Sequence, residues 1–188
     1  RPGGSRHSAE TSSAQAPQHG RVLPRANARA VAQSDGQRYW LQVCPDTRRD
    51  RSSARGPVSP LRILIVLAHP AYQRSRANRE LAEAARRLDG VRVHDLYEAC
   101  PDFCIDVPRE QQLLLVHDLV VFQYPFYWYS SPALLKEWQD LVLEHGWAYG
   151  HAGTALAGKA LLAAMTAAGG RQDYTPAGHN GFTIRQLL

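Results

Sequence analysis

Apolar residues are sparse and aperiodic up to Pro60 and strongly patterned from Leu61 onward. Ile63-Leu64-Ile65-Val66-Leu67-Ala68 is a continuous β-branched and aliphatic run, which suits a central strand buried on both faces of a parallel sheet. Ser75 then predicts a helix cap, followed by Ala77, Leu81, Ala84, Ala85 and Leu88 at helical spacing and a stop at Asp89-Gly90. Val91 to Leu96 alternates like a second strand, and Pro108 to His117 reads as a short helix. Leu119 to Tyr124 is a third strand closed by Pro125. Ser131 as cap with Pro132 at the first helical position opens another helix. Leu134, Leu135, Trp138, Leu141 and Val142 are its expected buried stripe, and Gly146 its stop. Lys159 to Thr166 is a fourth strand. Gly181 to Leu188 resembles an interrupted helix whose Phe182, Ile184 and Leu188 need partners.

The order βαβαβαβ predicts an α/β fold, an open doubly wound parallel sheet with right-handed crossovers. Ligands of such sheets sit beyond the carboxyl ends of the strands. Three loops therefore matter: those after Ala68, after Tyr124 and after Thr166.

Composition narrows the picture. The chain has 188 residues, enough for one sizeable core. Residues 1–60 contain no Ile, Phe or Met and are rich in Arg, Ser, Ala, Gln, Gly and Pro. Such a stretch buries too little apolar surface to offset its ordering entropy, so a disordered tail is expected there. Its run Tyr39-Trp40-Leu41-Gln42-Val43 has strand character but stands alone in the pattern. The formal charge of +5 resides in this tail, which carries ten Arg against four acids; residues 61–188 carry twelve bases and thirteen acids. A basic nucleic-acid-binding face on the domain is unsupported. Cys44, Cys100 and Cys104 lack the ligand spacing of a zinc site and read as reduced thiols of a cytoplasmic protein. No apolar run approaches the length of a membrane span. The chain opens on Arg1 and its single Met is Met165, so a fragment or processed product is expected.

The loop His69-Pro70-Ala71-Tyr72-Gln73-Arg74-Ser75-Arg76-Ala77-Asn78 runs into a helix N-terminus, where free backbone N–H groups and the helix dipole favour a phosphate. No GxGxxG or GxxxxGK[ST] is present, so neither a Rossmann dinucleotide site nor an ATP-type phosphate loop is supported. Ser75 can equally be a cap and nothing more. In the second loop, Phe126-Tyr127-Trp128-Tyr129 can wall a flat heterocycle, or form a core or dimer patch. In the third, Thr166-Ala167-Ala168-Gly169-Gly170 allows close backbone approach to a planar ligand, or is an ordinary strand exit.

Together these pieces resemble one family. Leu67-Ala68-His69-Pro70 with Ser75-x-x-Asn78 is similar to the phosphate loop of flavodoxin-like NAD(P)H:quinone oxidoreductases. Pro101-Asp102-Phe103-x-Ile105-Asp106, Gln123-Tyr124-Pro125 and Ser131-Pro132-Ala133-Leu134-Leu135-Lys136 fit the same family. His145-Gly146-Trp147-Ala148-Tyr149-Gly150-His151 and Gly153-Thr154-Ala155-Leu156-x-Gly158-Lys159 resemble the ancillary proteins of glutathione-regulated potassium-efflux (Kef) systems.

The resemblance implies a cytoplasmic homodimer that holds FMN tightly and uses NADH or NADPH to reduce quinones by two electrons. It also implies an ancillary role on the cytoplasmic side of a potassium/proton antiporter, peripheral to the membrane. His69, Ser75, Arg76, Ala77 and Asn78 would then hold the FMN phosphate and ribityl chain. Phe126, Tyr127, Trp128 and Tyr129 would flank the isoalloxazine ring, and Thr166, Ala167, Ala168 and Gly169 would meet its polar edge. The family commonly has Thr-Thr-Gly-Gly where this chain has Thr166-Ala167-Ala168-Gly169. That exchange loses a hydroxyl and adds a methyl where unusual backbone dihedrals are expected. Tyr174 and His179 follow the third loop as proton-relay candidates, His179 at a spacing unlike the family's. A mainly regulatory antiporter subunit and a one-electron flavodoxin-like carrier remain the alternatives. The family's sheet has a fifth strand and a closing helix, so 61–188 is expected to be incomplete, with its fourth strand an exposed edge.

Overall fold

The structure, a computed structural model, describes residues 60–188 and, as backbone, the strand segments 33–34 and 37–44. Four parallel strands form the sheet centre: β3 (Ile63–Leu67), β4 (Val91–Asp95), β5 (Leu119–Pro125) and β6 (Ala160–Ala167). They lie in the order β4-β3-β5-β6, with β3 paired to both β4 and β5 and β5 paired to β6. The doubly wound α/β expectation therefore holds. β1 (Gln33–Ser34) and β2 (Gln37–Cys44) extend the sheet on the far side of β6.

β2 corrects two expectations. The run around Tyr39 to Val43 does not stand alone, because Arg38 to Cys44 pair antiparallel with Ala167 to Leu161. For the same reason β6 is not an exposed edge. A strand with unpaired N–H and C=O groups accepts any partner of suitable register, and here an upstream segment of the same chain takes that place. The disorder expected of the rest of residues 1–59 lies outside the described residues.

The helices are α1 (Arg76–Ala85), α2 (Leu96–Ala99), α3 (Val107–Leu115), α4 (Ala133–Val142) and α5 (Ile184–Leu187). Local chemistry sets their ends. Ser75 caps α1, and Asp106 caps α3 by accepting from the Arg109 N–H at 3.2 Å. α1 stops earlier than its pattern implied, so Leu88 lies beyond it and is 61% exposed. Gly90 then turns the chain into β4 at φ 78°, where a Cβ would stand 2.8 Å from the Leu61 carbonyl oxygen. α4 begins at Ala133 with Pro132, not Ser131, at the cap position, and it ends at Val142 rather than at Gly146. Leu141, expected in its buried stripe, is exposed. Of the three apolar residues near the C-terminus, Ile184 joins the core and Phe182 and Leu188 are exposed.

The main core lies on the face of the sheet covered by α2, α3 and α4. Leu64, Val66, Val120, Phe122 and Met165 meet Leu96, Leu113, Leu114, Leu134, Leu135 and Trp138 there. A buried polar cluster spans it. Glu110 on α3 is 2% exposed, receives a hydrogen bond from the Trp138 indole at 2.8 Å, and lies 2.9 Å from His94 Nε2 through each carboxylate oxygen. That triad joins β4, α3 and α4. Among the described residues no helix is long and apolar enough to cross a membrane.

Candidate functional site

The ends of β3, β5 and β6 converge on a cleft of about 370 Å³ lined by His69, Ala71, Arg74, Ser75, Pro125, Phe126, Tyr127 and Thr166 to Gly169. Two of the lining segments follow β3 and β5, whose apolar sequences bury them, and the third follows β6 beside β5, so the loops are displayed at one edge of the sheet. The three loops singled out in the sequence are thus brought together.

His69 is buried and its Nδ1 accepts the Ala71 N–H at 3.1 Å. In the neutral ring the proton therefore sits on Nε2. Desolvation lowers the His69 pKa and favours that neutral form. The Tyr127 ring packs edge-on to it at 6.2 Å. Ser75 Oγ accepts from the Asn78 N–H at 3.2 Å, so Ser75 is a helix cap and lines the cleft as well. Arg76 is exposed, pairs with Glu80 at 3.0 Å and is not among the residues lining the cleft. Ala77 is buried.

Asn78 is fully buried and its side chain is committed inside the protein. Its Nδ2 donates to Ser75 Oγ at 3.1 Å and to Thr166 Oγ1 at 2.9 Å. The Gln123 amide donates to the Asn78 backbone carbonyl at 2.9 Å. Asn78 does not line the cleft; it brackets α1 to β5 and β6.

The aromatic run divides. Phe126 is buried and lines the cleft with Tyr127. Tyr127 to Ser130 is a tight hairpin, with Tyr127 N–H to Ser130 O at 3.1 Å and Ser130 N–H to Tyr127 O at 2.9 Å. Its two central residues, Trp128 (φ 47°) and Tyr129 (φ 62°), are both left-handed. Such turns favour Asn-Gly, and an L side chain there costs roughly 1–2 kcal/mol per residue. Trp128 is 93% exposed, outside the cleft lining. Tyr129 donates its hydroxyl to Asn180 Oδ1 at 2.8 Å, tying the hairpin to the loop after β6.

Within Thr166 to Gly170 the left-handed residue is Gly169, at φ 88°. Ala167 and Ala168 are not among the residues with positive φ, so the added methyl brings no strain of that kind. Tyr174 donates to the Ala168 carbonyl at 3.0 Å, stacks edge-on against Phe126 at 6.2 Å, and has its pKa raised by burial. His179 is exposed and does not line the cleft. Arg74 as a lining residue, Gln123 as a partner of Asn78 and Asn180 as a partner of Tyr129 carry roles that the sequence did not assign. Gln123 carried a signal, a polar residue within an otherwise apolar strand.

The family model described as "Flavodoxin-like fold" matches residues 61–188. The chain is 47% identical over 128 residues to an uncharacterized NAD(P)H oxidoreductase, YrkL, of Bacillus subtilis (strain 168), covering 68% of this chain and 74% of that protein. It is similar to the crystal structure of general stress protein 14 in complex with FMN from Treponema denticola, at 40% identity and TM-score 0.66 over 68% of this chain and 74% of that one. An NADPH-quinone reductase from P. pentosaceus gives 33% identity and TM-score 0.60 over 68% and 72%. A structure named as a thermophilic tryptophan halogenase from Streptomycin violaceusniger gives 46% and 0.65 over 66% and 73%. With a parallel sheet of this order, a cleft at its carboxyl edge and these relatives, the chain belongs to the flavodoxin-like family that includes NAD(P)H oxidoreductases and quinone reductases.

Proposed function

We propose that this protein is an FMN-dependent NAD(P)H:quinone oxidoreductase. The observation that carries the reading is the composition of the cleft, which has phosphate-binding chemistry at one end and flat apolar walls at the other. Its volume of about 370 Å³ lies within the usual range for small-molecule sites. The N-terminus of α1 and the cationic Arg74 favour a phosphate monoester, with Ser75 and His69 as donors. Phe126 and Tyr127 provide the aromatic walls, and Thr166 to Gly169 the small backbone edge. FMN, when bound, supplies the hydride chemistry; the protein contributes orientation, electrostatics and proton handling. NADH or NADPH is the proposed reductant and a quinone the proposed acceptor, as the names of the relatives support. Tyr174 does not line the cleft itself but donates to the carbonyl of Ala168, which does, and is the proposed proton relay. His179, exposed and off the cleft, is the weaker relay candidate.

Arg76 and Ala77 are proposed to act on the cofactor through backbone and packing, and Asn78 through the cleft-lining Ser75 and Thr166 that its side chain holds. The exposed Trp128 and Tyr129 fit a rim that a second copy of the chain covers, which supports a homodimer. The motifs from His145 to Lys159 support an ancillary role beside a Kef-type antiporter at the cytoplasmic face of the membrane. Among the four proteins compared, the halogenase name stands apart, and no feature of the cleft singles out halogenation. The test is to purify the protein, release its flavin by denaturation, and follow NAD(P)H oxidation with and without a quinone. FMN and quinone-dependent oxidation are expected; FAD, or no flavin at all, would overturn the reading.

A further inference from the structure

We infer that Asn78 is a positioning residue that fixes the Ser75 hydroxyl as a donor, turns the Thr166 hydroxyl proton away from itself, and so biases the polar lining of the cleft toward donors. The inference rests on the FMN reading above and names how the chain selects that ligand.

The Asn78 backbone carbonyl is an acceptor only, and the Gln123 side chain reaches it at 2.9 Å. The Gln123 atom facing it must therefore be the NH₂ nitrogen. That same nitrogen lies 3.4 Å from Asn78 Oδ1, so the Asn78 side chain turns its oxygen toward Gln123 and its nitrogen the other way. The two hydrogens of that nitrogen meet Ser75 Oγ at 3.1 Å and Thr166 Oγ1 at 2.9 Å. Gln123 is 2% exposed and Asn78 0%, so water does not compete for these bonds.

The consequence for the hydroxyls is geometric. Ser75 Oγ accepts a second bond, from the Asn78 N–H at 3.2 Å. A hydroxyl has one proton and two lone pairs, and with both lone pairs engaged it has only its proton left to offer. Thr166 Oγ1 faces a donor as well, so its proton also turns away from Asn78. Both residues line the cleft. The cleft thus receives one O–H donor fixed at Ser75 and a Thr166 hydroxyl whose proton is turned away from the buried amide, joined by the His69 Nε2–H that the Ala71 contact assigns. Phosphate oxygens and flavin carbonyl oxygens are acceptors, and a prearranged donor set recognises them without the cost of reorienting hydroxyls at the moment of binding. Asn78 and Thr166 are 88 residues apart, so the same amide also holds the first and third loops in register.

The experiment measures dissociation constants of FMN and riboflavin for the full-length apoprotein by quenching of flavin fluorescence. It uses wild type, Asn78→Ala, the pair Ser75→Ala/Thr166→Val, and all three changes combined. Asn78→Ala should weaken FMN about tenfold in the wild-type background, the scale of one or two hydrogen bonds. In the background without the two hydroxyls it should weaken FMN by less than about twofold, because neighbouring groups that act through one another are non-additive. Equal losses in both backgrounds would mean a merely structural Asn78 and would overturn the inference. Gln123→Met, which keeps the volume but removes the donor that sets the sense of the amide, should show the same background dependence and serves if Asn78→Ala does not fold. Ser75→Ala alone should cost FMN more than riboflavin, since Ser75 sits at the phosphate-favouring helix start; equal costs would overturn its part. A wild-type protein that binds neither flavin would overturn the FMN reading itself, a different result from any of these.

Discussion

Replacing Glu110 by Ala should cost a substantial share of a typical domain's margin of stability. Glu110 is 2% exposed and its carboxylate has two neighbours: the Trp138 indole at 2.8 Å and His94 Nε2 at 2.9 Å from each oxygen. Both neighbours are themselves buried. Truncation leaves two donors facing an apolar interior, at about 1–3 kcal/mol each. Removing one member of a buried pair costs about 3–5 kcal/mol as a whole, so the same range is expected here. A native domain has roughly 5–15 kcal/mol to lose. For a chain of this size about 2–4 °C of melting temperature accompanies each kcal/mol, so a drop of about 6–20 °C should appear in circular dichroism. Glu110→Gln keeps one acceptor and should fall between. Acid supplies a second reading of the same group. Burial pushes the Glu110 carboxyl up, but the bonds from His94 and Trp138 outweigh it and leave the pKa below the ordinary 4.5. A depressed folded-state value means the contribution is present above the unfolded pKa and lost as pH falls through the folded one. The stability gap between wild type and Glu110→Gln should therefore narrow below about pH 4. A loss under about 1 kcal/mol for Glu110→Ala, within the range of an ordinary surface change, would refute the view that the triad is desolvated and shared.

Trp128→Ala should change stability by no more than about 0.5 kcal/mol, since the side chain is 93% exposed, while flavin affinity or quinone turnover falls; thermal melting beside flavin titration checks this. Tyr174→Phe should retain FMN yet lower turnover at saturating substrate by about 10²-fold or more, and unchanged turnover would remove the phenol from proton transfer. Residues 61–188 alone, without β2, should melt lower and self-associate more than the full chain, as an unpaired β6 edge recruits other strands; melting and light scattering on both proteins decide it.

The sequence by itself determined much of this protein. The β-branched runs at Ile63 and Leu119 and the alternation at Val91 specify three strands through content and period, and the short apolar run at Ala160 specifies a fourth by its place in the βα order. Ser75 and Asp106 specify helix starts through capping bonds that span three residues. The alternation of those elements then fixed which three loops share an edge. Tertiary structure decided what depends on distant partners. Asn78 reads locally like a phosphate ligand, yet Thr166, 88 residues away, and Gln123 draw its side chain inward. Glu110 lies in a short helix whose pattern does not mark it, and only His94 and Trp138 closing around it make it a buried carboxylate. Trp128 sits in an aromatic run that reads as core or site wall, but a two-residue hairpin turns it outward. The strand at Gln37 to Cys44 lacked meaning until β6 offered an edge to pair with. Periodicity reports which face of an element is apolar; it does not report which polar group arrives from elsewhere to meet a buried donor. In this protein those long-range polar pairings set the chemistry of the cleft.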